Sequence, residues 1–279
     1  MLLISCSDRP GLVAEVAGHL AGAGGNIVDA EQHTDRTTGR FFQRIAFEVP
    51  DGHVGAASLA EDFTPVAVRL GMDVRFHPGG RRTRVALLAS RQRHCLLDLL
   101  HRHQAGELPM DPVAVISNHT EVAEVAGWFD VGFHHLPIID GRRDDQERQL
   151  EALLNALHVE LVVLARYMQV LSAGFCERWA ERCINIHHSF LPAFAGAQPY
   201  RQAHDRGVKL IGATAHYVTA DLDAGPIISQ GVAPVSHRDT VEDFVRRGRE
   251  LETTVLADAV AAHLDHRLLV DGNRTVVFH

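Results

Sequence analysis

Apolar residues recur in short blocks along this chain, and the spacing of the blocks changes near residue 80. In the first part, the pattern predicts four strands, near residues 2–6, 26–34, 41–49 and 72–76. Apolar residues at helical spacing predict two helices between them, over residues 11–23 and 56–70. The order β-α-β-β-α-β is the ferredoxin-like pattern of a small α/β domain, which we place at residues 1–78.

A segment rich in proline, glycine and arginine, residues 78–83, separates this region from a second one. Beyond it, blocks that are apolar throughout alternate with segments of helical spacing. The strands are predicted near residues 85–89, 113–117, 132–136, 160–165 and 183–187, and the helices near residues 94–104, 120–128, 146–157, 173–181 and 199–206. Strands that are apolar on both faces are typical of a parallel sheet covered by helices. We therefore predict that residues 84–279 form a doubly wound, Rossmann-like α/β domain.

The alternation of strands and helices changes after residue 209. Two longer apolar blocks, residues 212–218 and 226–235, predict a pair of strands, and residues 239–263 predict a long helix. Residues 268–278 have the pattern of a β-hairpin with Asp-Gly in its turn, and they close the chain.

Side chains that can act on a carbonyl group lie at the end of the predicted strand 183–187. Asn185 and His187 are two residues apart, so an extended backbone directs both side chains to the same face. Asp223, at the start of the next apolar block, could orient the His187 imidazole and stabilise its charged form. Donors for a developing oxyanion and an acid–base pair are the groups that attack on a carbonyl requires. Because no protein nucleophile accompanies them, the attacking atom is expected to come from outside the chain.

The same residues also permit a purely structural interpretation. Asn185 and His187 could cap the end of a strand, and Asp223 could cap a turn before Gly225. Asp221 competes with Asp223 as the carboxylate that serves the imidazole.

Composition and charge narrow the function classes. Lys and Arg number 27 against 35 Asp and Glu, a net charge of −8, which argues against a nucleic-acid partner bound through its phosphates. No apolar run reaches the roughly 18 residues that span a bilayer, and the first residues lack a signal-peptide pattern, so no membrane partner is expected. The four cysteines are scattered in apolar context, which predicts buried, reduced thiols and fits a cytoplasmic protein.

Nineteen histidines raise the question of a metal site. His134-His135 and His187-His188 are adjacent pairs, which lack the spacing that places two histidines on one face of a helix. The sequence also shows no clustered set of cysteines and histidines. We therefore predict that the protein has no metal site.

Motifs in both regions are specific enough to suggest a family. The second region contains Asn185-Ile-His-His-Ser-Phe-Leu-Pro192, Ala215-His-Tyr-Val218 and Asp223-Ala-Gly225, preceded by Leu164-Ala-Arg-Tyr-Met-Gln-Val-Leu171. It resembles the formyltransferase fold, in which the first motif has the form Asn-Ile-His-Pro-Ser-Leu-Leu-Pro. The first region resembles an ACT domain through Asp8-Arg-Pro-Gly-Leu-Val13 and Gly25-Asn-Ile27. Together the two regions resemble the formyltetrahydrofolate deformylase family over almost the whole chain.

Two departures from the transferases agree with this hydrolase family. His188 stands where the transferases have proline, and Ser90-Arg-Gln-Arg-His-Cys95 replaces their Gly-rich loop. In glycinamide ribonucleotide transformylase, which shares the formyltransferase fold, that loop holds the phosphate of the acceptor. Without it, an amine acceptor loses its anchor, and water becomes the expected nucleophile. The resemblance implies hydrolysis of 10-formyltetrahydrofolate to tetrahydrofolate and formate, with the folate as substrate and no cofactor.

The resemblance also implies catalytic roles. Asn185 and protonated His187 would donate hydrogen bonds to the formyl oxygen as the tetrahedral intermediate forms. Asp223, which fits the Asp-x-Gly pattern where Asp221 does not, would hold His187 and position or deprotonate the attacking water. The N10 leaving group needs a proton on departure, from His187 or from a water.

A folate pocket is expected beside these catalytic residues, at the carboxyl end of the predicted strand 160–165. Its predicted lining residues are Arg166, Met168, Val170, Leu171, His188 and His216. Ordinary packing remains the alternative for this set. In particular, Arg166 could cap the sheet, and His216 could be a buried core histidine. His188 should point away from His187 in an extended segment, which leaves open both a supporting role behind the site and a direct catalytic role.

ACT domains generally pair edge to edge and bind a small amino acid near the first strand–helix turn. The resemblance therefore implies a homo-oligomer, a dimer or tetramer, with an amino-acid effector site at Asp8, Gly11 and Asn26. A purely structural dimerisation module is the alternative for this domain. For the whole protein, the alternatives are a formyltransferase with an amine acceptor and a folate- or amino-acid-binding sensor without chemistry.

Overall fold

A computed structural model describes residues 1–49, 56–192 and 199–279 of the protein. The chain divides into two compact units. The first comprises residues 1–81 with 265–271 and 276–279, and the second comprises residues 82–264 with 272–275. The sequence pattern predicts a second domain that continues to residue 279, whereas the structure groups most of the last fifteen residues with the first unit.

The first unit is a four-stranded antiparallel sheet with two helices. Its elements are β1 (Leu2–Ser7), α1 (Leu12–Gly22), β2 (Asn26–Asp35), β3 (Arg40–Glu48), α2 (Ala56–Leu70) and β4 (Asp73–Phe76). The strand order β2-β3-β1-β4 is the ferredoxin-like arrangement, so this prediction is confirmed. Leu2 and Ile4 alternate along β1, and they pack with Val16 and Leu20 of α1 because residues four apart share a helix face.

The opposite face of this sheet is covered by the C-terminal segments of the chain. Leu3 and Phe42 project from it and form a buried cluster with Leu269 and Phe278. Leu269 belongs to β12 (Leu268–Asp271), and Phe278 directly follows β13 (Arg274–Val277). Burial of Leu269 and Phe278 is the physical reason that the C-terminal residues belong to the first unit.

The second unit contains a seven-stranded sheet with helices. Its strands are β5 (Thr83–Ala89), β6 (Met110–Ser117), β7 (Phe133–His135), β8 (Leu161–Leu164), β9 (Cys183–His187), β10 (Leu210–Tyr217) and β11 (Ile227–Pro234). Its helices are α3 (His94–Gln104), α4 (Ala123–Trp128), α5 (Arg143–Ala156), α6 (Ala173–Arg178), α7 (Pro199–Arg206) and α8 (Val241–Leu264).

The sheet order is β11-β10-β9-β8-β5-β6-β7. The strands from β9 to β7 are parallel, and β10 and β11 continue the sheet in antiparallel pairing. The parallel strands are almost wholly buried, as Val85, Leu87 and Val163 at 0% exposure illustrate. The chain moves from β5 to one side through β6 and to the other through β8, which is the reversal of order where such sheets bind ligands. The predicted doubly wound architecture is confirmed.

The cysteine prediction is also confirmed, because all four thiols are free and buried. Cys6 lies in the first unit, and the others lie in the second. Within the described ranges, no helix combines the length and the apolarity that crossing a membrane requires.

Candidate active site

Neighbouring strands bring the predicted catalytic side chains together near the carboxyl ends of β8 and β9. These strands are parallel and end at Leu164 and His187. β10 runs antiparallel to β9, and its register places His216 opposite Asn185. Residues that face each other across an antiparallel pair direct their side chains to the same face of the sheet. Asn185, His187 and His216 therefore share one face.

Asp223 lies in the connection between β10 and β11 and has an unusual backbone conformation. Its φ is 55°, a left-handed value that aspartate adopts more readily than most residues. Gly225 makes the close return of this connection possible, because a Cβ there would lie 1.8 Å from the carbonyl oxygen of Tyr217. The Asp-x-Gly pattern thus has a local cause, since only glycine allows the backbone to approach β10 and place Asp223 beside His187.

His187 and Asp223 form a buried pair. The Nδ1 atom of His187 lies 3.1 Å from Oδ2 of Asp223, and the two side chains are 7% and 15% exposed. Burial alone would raise the pKa of the Asp223 carboxyl, but its hydrogen bond to His187 and the neighbouring His216 hold that pKa well below its usual value. Asp223 is therefore ionised at neutral pH, and it fixes a proton on Nδ1 of His187. The Nε2 atom of His187 is buried and has no hydrogen-bond partner among the described residues.

His216 orients the carboxamide of Asn185. Its Nδ1 atom lies 2.9 Å from the carbonyl oxygen of Tyr217, which can only accept, so Nδ1 carries a proton. The Nε2 atom lies 3.2 Å from Nδ2 of Asn185, and in the tautomer that leaves Nε2 unprotonated it accepts a hydrogen bond from that amide. The 3.6 Å separation between Nε2 and Oδ1 of Asp223 is an electrostatic contact rather than a hydrogen bond. Among the described residues, none accepts from the second N–H of the Asn185 amide, which can therefore serve a ligand.

These groups line a cavity of about 320 Å³, a size at the lower end for small-molecule sites. Every residue predicted for the catalytic centre and the folate pocket lines it, namely Asn185, His187, Asp223, Arg166, Met168, Val170, Leu171, His188 and His216. Met168 and Val170 are 56% and 59% exposed, so they offer an apolar surface to a ligand at the mouth of the cavity. The structure thus brings the predicted residues together, and their roles in binding remain predictions.

The competing carboxylate, Asp221, lies apart from the imidazole. Its side chain is exposed, and its backbone carbonyl accepts a hydrogen bond from the Thr219 hydroxyl at 3.0 Å. Of the two aspartates, Asp223 is the one beside His187.

The expected direction of His188 was wrong. An extended segment would turn His188 away from His187, but β9 ends at His187, and the alternation of side chains ends with it. The two rings lie with centroids 5.3 Å apart and line the same cavity. Burial, reinforced by the positive charge of Arg166, lowers the pKa of His188 to about 4.

A buried polar cluster beside this cavity was not predicted. Glu252 of α8 is 1% exposed; it accepts a hydrogen bond from the Tyr200 hydroxyl at 2.7 Å and lies 2.7 Å from Nε2 of His94. The Nε atom of Arg166 lies 3.4 Å from the same carboxylate. Burial would raise the pKa of Glu252, but its contacts with His94, Arg166 and Tyr200 lower it. The sequence does contain a signal for it, since Gly248, Glu252 and Val255 share one face of α8, a pattern that places a carboxylate among buried residues.

His94, Cys95 and Glu252 form a group whose ligand atoms lie within 4.8 Å of one another. The chemistry of this group does not suit a metal ion. The Glu252 carboxylate already interacts with Arg166 and Tyr200, and a second cation beside Arg166 would be repelled. Burial raises the pKa of the Cys95 thiol well above its usual value, so the thiolate that binds metals is disfavoured.

The residues predicted for an effector site lie in the first unit. Asp8 and Gly11 line a cavity of about 530 Å³ together with Gln32, Thr34 and Phe41. Asn26, at the start of β2, is not one of its described lining residues. The structure therefore brings together two of the three predicted residues.

Comparison with known families agrees with this architecture. The sequence profile described as "Formyl transferase" matches residues 83–260, and the profile described as "ACT domain" matches residues 1–60. Fold and site thus define a protein of the formyl transferase class with an ACT domain before it.

Individual relatives define the family more closely. The chain is 48% identical over 277 residues to a formyltetrahydrofolate deformylase of Synechocystis sp., which covers 99% of this chain and 97% of that protein. A crystal structure of a formyltetrahydrofolate deformylase from Pseudomonas syringae pv. tomato matches with a TM-score of 0.96 and 46% identity, over 100% of this chain and 93% of that one. The chain therefore belongs to the formyltetrahydrofolate deformylase family. A glycinamide ribonucleotide transformylase from Symbiobacterium toebii is more distant, with a TM-score of 0.68 and 33% identity over 74% of this chain and 98% of that one.

Proposed function

We propose that this protein hydrolyses 10-formyltetrahydrofolate to tetrahydrofolate and formate, with water as the nucleophile. The observation that carries the proposal is the geometry at the cavity, where Nε2 of His187 and one N–H of Asn185 have no partner among the described residues. Two donors aimed at one place suit a developing oxyanion. Membership of the deformylase family supplies the substrate.

In the proposed reaction, the formyl oxygen lies between Asn185 and His187. The Asp223 carboxylate stabilises the protonated imidazole of His187 through Nδ1, so that Nε2 carries a proton and donates it in a hydrogen bond. Both donors strengthen their interactions as the carbonyl oxygen becomes negative, which lowers the barrier to the tetrahedral intermediate. Collapse of this intermediate breaks the bond from carbon to N10, and His187 or a water protonates the departing nitrogen.

The protonation state of the Cys176 thiol favours a nucleophile from outside the chain. Cys176 is a lining residue, and burial raises the pKa of its thiol. The reactive thiolate is therefore disfavoured at neutral pH. Water needs no anchoring site of its own, whereas an amine acceptor does.

The loop from Ser90 to Cys95 also favours water over a phosphorylated acceptor. Ser90 donates a hydrogen bond to Oδ1 of Asn118 at 2.7 Å and accepts one from the backbone of Met168 at 3.0 Å. His94, at the start of α3, is engaged by Glu252. These internal contacts occupy the Ser90 hydroxyl and the His94 ring, so neither group is left to hold an anionic acceptor.

For the substrate, we propose that the flat pterin lies against Met168, Val170 and Leu171. These side chains form the apolar wall of the cavity, and an aromatic ring system gains from covering exposed apolar surface. Backbone groups of residues 221–225 are the proposed hydrogen-bond partners of the pterin edge.

Incubation of the purified protein with 10-formyltetrahydrofolate and no amine acceptor tests the proposal. Formate and tetrahydrofolate should appear in equal amounts, at a rate that depends on enzyme concentration. Turnover only after an amine is added would favour the formyltransferase alternative. Binding of the folate without any turnover would favour the sensor alternative.

We further propose that the first unit binds a small amino acid as an effector. The cavity beside Asp8 and Gly11 supports this role, because Asp8 offers a carboxylate for an ammonium group. The shape of this cavity does not select among amino acids. Isothermal calorimetry with each of the common amino acids is therefore the appropriate measurement. Heat from one amino acid that disappears in an Asp8→Ala variant is the expected result, and no heat from any would contradict the proposal.

A homo-oligomer built through the first unit is also proposed. β2 and β4 are the two edges of its sheet, and β2 is ten residues long and mostly exposed. Exposed edge strands are suited to pairing with a second copy. Light scattering should give a mass of two or four chains, and a stable monomer at micromolar concentration would contradict this assembly. The free buried thiols fit the proposed cytoplasmic location.

A further inference from the structure

Arg166 reaches the candidate active site from a backbone conformation that is unusual for a residue with a side chain. It follows β8 directly and has a φ of 65°, where a residue other than glycine is uncommon. Its side chain is 13% exposed and is paired with Glu252. The Nε and Nη1 atoms are buried without hydrogen-bond partners in the described part of the chain. A cation held in such surroundings acts strongly on its close neighbours.

His188 is the titratable group at the cavity that this cation affects. The charged and titratable groups that face His188 are Arg166, Glu252, His187 and Asp223, and the Tyr200 ring lies 6.0 Å away. Burial and Arg166 lower the pKa of His188 against the opposing influence of Glu252 and Asp223. His188 is therefore an uncharged imidazole at neutral pH, with one ring nitrogen able to accept a hydrogen bond.

Asp223 is poorly suited to take a proton from water. Its Oδ2 atom is engaged by His187 at 3.1 Å, and its Oδ1 atom faces His216 at 3.6 Å. The same contacts hold the pKa of Asp223 well below its usual value, which makes it a weak base. His188 lines the same cavity, and the charges that face it act in opposite directions, since Arg166 lowers its pKa while Glu252 and Asp223 raise it.

We propose that Arg166 is a positioning residue for hydrolysis: held in place by Glu252 and lining the same cavity as His188, it acts together with burial to keep the His188 imidazole neutral, so that His188 accepts a hydrogen bond and then a proton from the attacking water. This inference rests on the proposed hydrolysis of 10-formyltetrahydrofolate. It assigns the base to His188, leaves Asp223 to hold His187, and makes Arg166 act through His188 rather than on the substrate.

The step balances without any further reactant. The water oxygen bonds to the formyl carbon while the carbonyl electron pair moves to the oxygen, and one water proton passes to His188. Breaking the bond from carbon to N10 leaves an electron pair on nitrogen, which takes up a proton from His187 or from a water, and the proton on His188 then replaces the one given up. The second water proton leaves when formic acid ionises to formate.

The pH dependence of kcat/KM for formate release, which reports groups of the free enzyme, tests the proposal. In Arg166→Gln, Glu252 faces His188 without its counterion and favours the charged imidazole, so the pKa of His188 should rise by about 2 units or more. Activity should then fall as the pH is lowered, with kcat/KM about tenfold lower at pH 5 than at pH 8 relative to wild type. Arg166→Lys keeps a cation and should restore most of the wild-type profile.

Two further sets of variants test whether the changed pH profile of Arg166→Gln comes from the lost charge and acts through His188. The double variant Arg166→Gln/Glu252→Gln removes both charges, and its profile should return towards that of wild type. In a His188→Asn background, activity should be low at every pH, and Arg166→Gln should add no pH dependence. Arg178→Gln is the matched control, because Arg178 pairs with Glu151 on the surface, and it should leave the profile unchanged.

A spectroscopic measurement on the wild-type protein avoids any dependence on variants that fail to fold. Nitrogen-15 shifts of the imidazole ring distinguish neutral from charged histidine, and the His188→Asn spectrum identifies the signal. His188 should stay neutral from pH 8 down to pH 5. Titration of this signal near pH 6.5 would overturn the proposal, as would a uniform loss of activity in Arg166→Gln with an unchanged profile.

These outcomes separate this proposal from the proposed function. Absence of formate release by wild type would end the hydrolase assignment, while the histidine spectrum would still report whether Arg166 keeps His188 neutral. Formate release with a titrating His188 would retain the hydrolase and reject the role given to Arg166.

Discussion

At the scale of single residues, the candidate site depends on how each polar atom is satisfied. Asp223 fixes one nitrogen of His187, and His216 fixes the amide of Asn185. These contacts leave Nε2 of His187 and one N–H of Asn185 at the cavity without partners in the described part of the chain. Side chains held in this way do not need to reorganise when charge develops on a substrate, and that is the basis of their proposed effect on rate.

Asn185→Ala should remove one donor to the oxyanion. The expected result is a fall in kcat of about 10²–10³ with little change in KM, because the donor acts mainly in the transition state. Steady-state formate release measures both parameters. Asn155→Ala, at an exposed position near the end of α5, is the matched control and should match wild type. A purely structural role for Asn185 would instead lower stability and leave kcat of the folded fraction unchanged.

Asp223→Asn should remove the charge that stabilises protonated His187, with an expected fall in kcat of about 10²–10⁴. Because the folded pKa of Asp223 is depressed, its ionisation stabilises the fold above the unfolded value of about 3.9 and this contribution is lost as the pH falls below it. The free energy of unfolding measured in urea should therefore be larger for wild type than for the variant at pH 7, and the difference should be smaller near pH 3.5. An equal difference at both pH values would argue against the pairing with His187.

At the scale of elements, the sequence pattern predicts those features that depend only on residues close together in the chain. The i, i+2 spacing of Asn185 and His187 placed both on one face of β9, and helix spacing identified α3 with the observed bounds. His188 was misjudged because spacing does not show that β9 stops one residue earlier. Arg166 and Glu252 meet only in the tertiary fold, so their pairing was beyond any local pattern.

Gly225→Ala tests the loop that positions Asp223. The new Cβ would lie 1.8 Å from the Tyr217 carbonyl oxygen, the same oxygen that accepts from Nδ1 of His216. Relief of this collision must move the Asp223 loop or β10, and kcat should fall at least about tenfold, since small displacements at such sites are costly. Formate release and urea unfolding measure the two effects.

The matched control for this variant is Gly127→Ala in α4, where a Cβ would meet nothing within 4 Å. It should keep wild-type activity, and its stability should be equal or higher because alanine favours helix. Wild-type kcat in Gly225→Ala would show that the loop does not position Asp223.

At the scale of the whole molecule, the change in pattern near residue 80 predicts two domains, and the structure groups residues 265–271 and 276–279 with the first unit. The hairpin was recognised from its Asp-Gly turn, yet nothing local shows which sheet it covers. Contacts between the two ends of a chain are set by the tertiary fold, and here Leu3 and Phe278 share one buried cluster.

Phe278→Ala should therefore destabilise the first unit, although the residue stands next to the C-terminus. Phe278 is 4% exposed, and removing a buried phenylalanine side chain costs about 3–5 kcal/mol. Hydrogen exchange should show faster exchange in β1 and β3, while β5 and β8 remain protected. Asn273→Ala, at the exposed hairpin turn, should leave exchange unchanged, and equal protection of β1 in both variants would contradict the packing.

Hydrolysis in water enriched in oxygen-18 tests the central claim, that solvent attacks a formyl group held by Asn185 and His187. With 10-formyltetrahydrofolate and no amine present, wild type should release formate that carries one solvent oxygen, and Asn185→Ala should release it far more slowly. Failure to release formate until an amine acceptor is supplied, or release at the wild-type rate by the variant, would contradict the account.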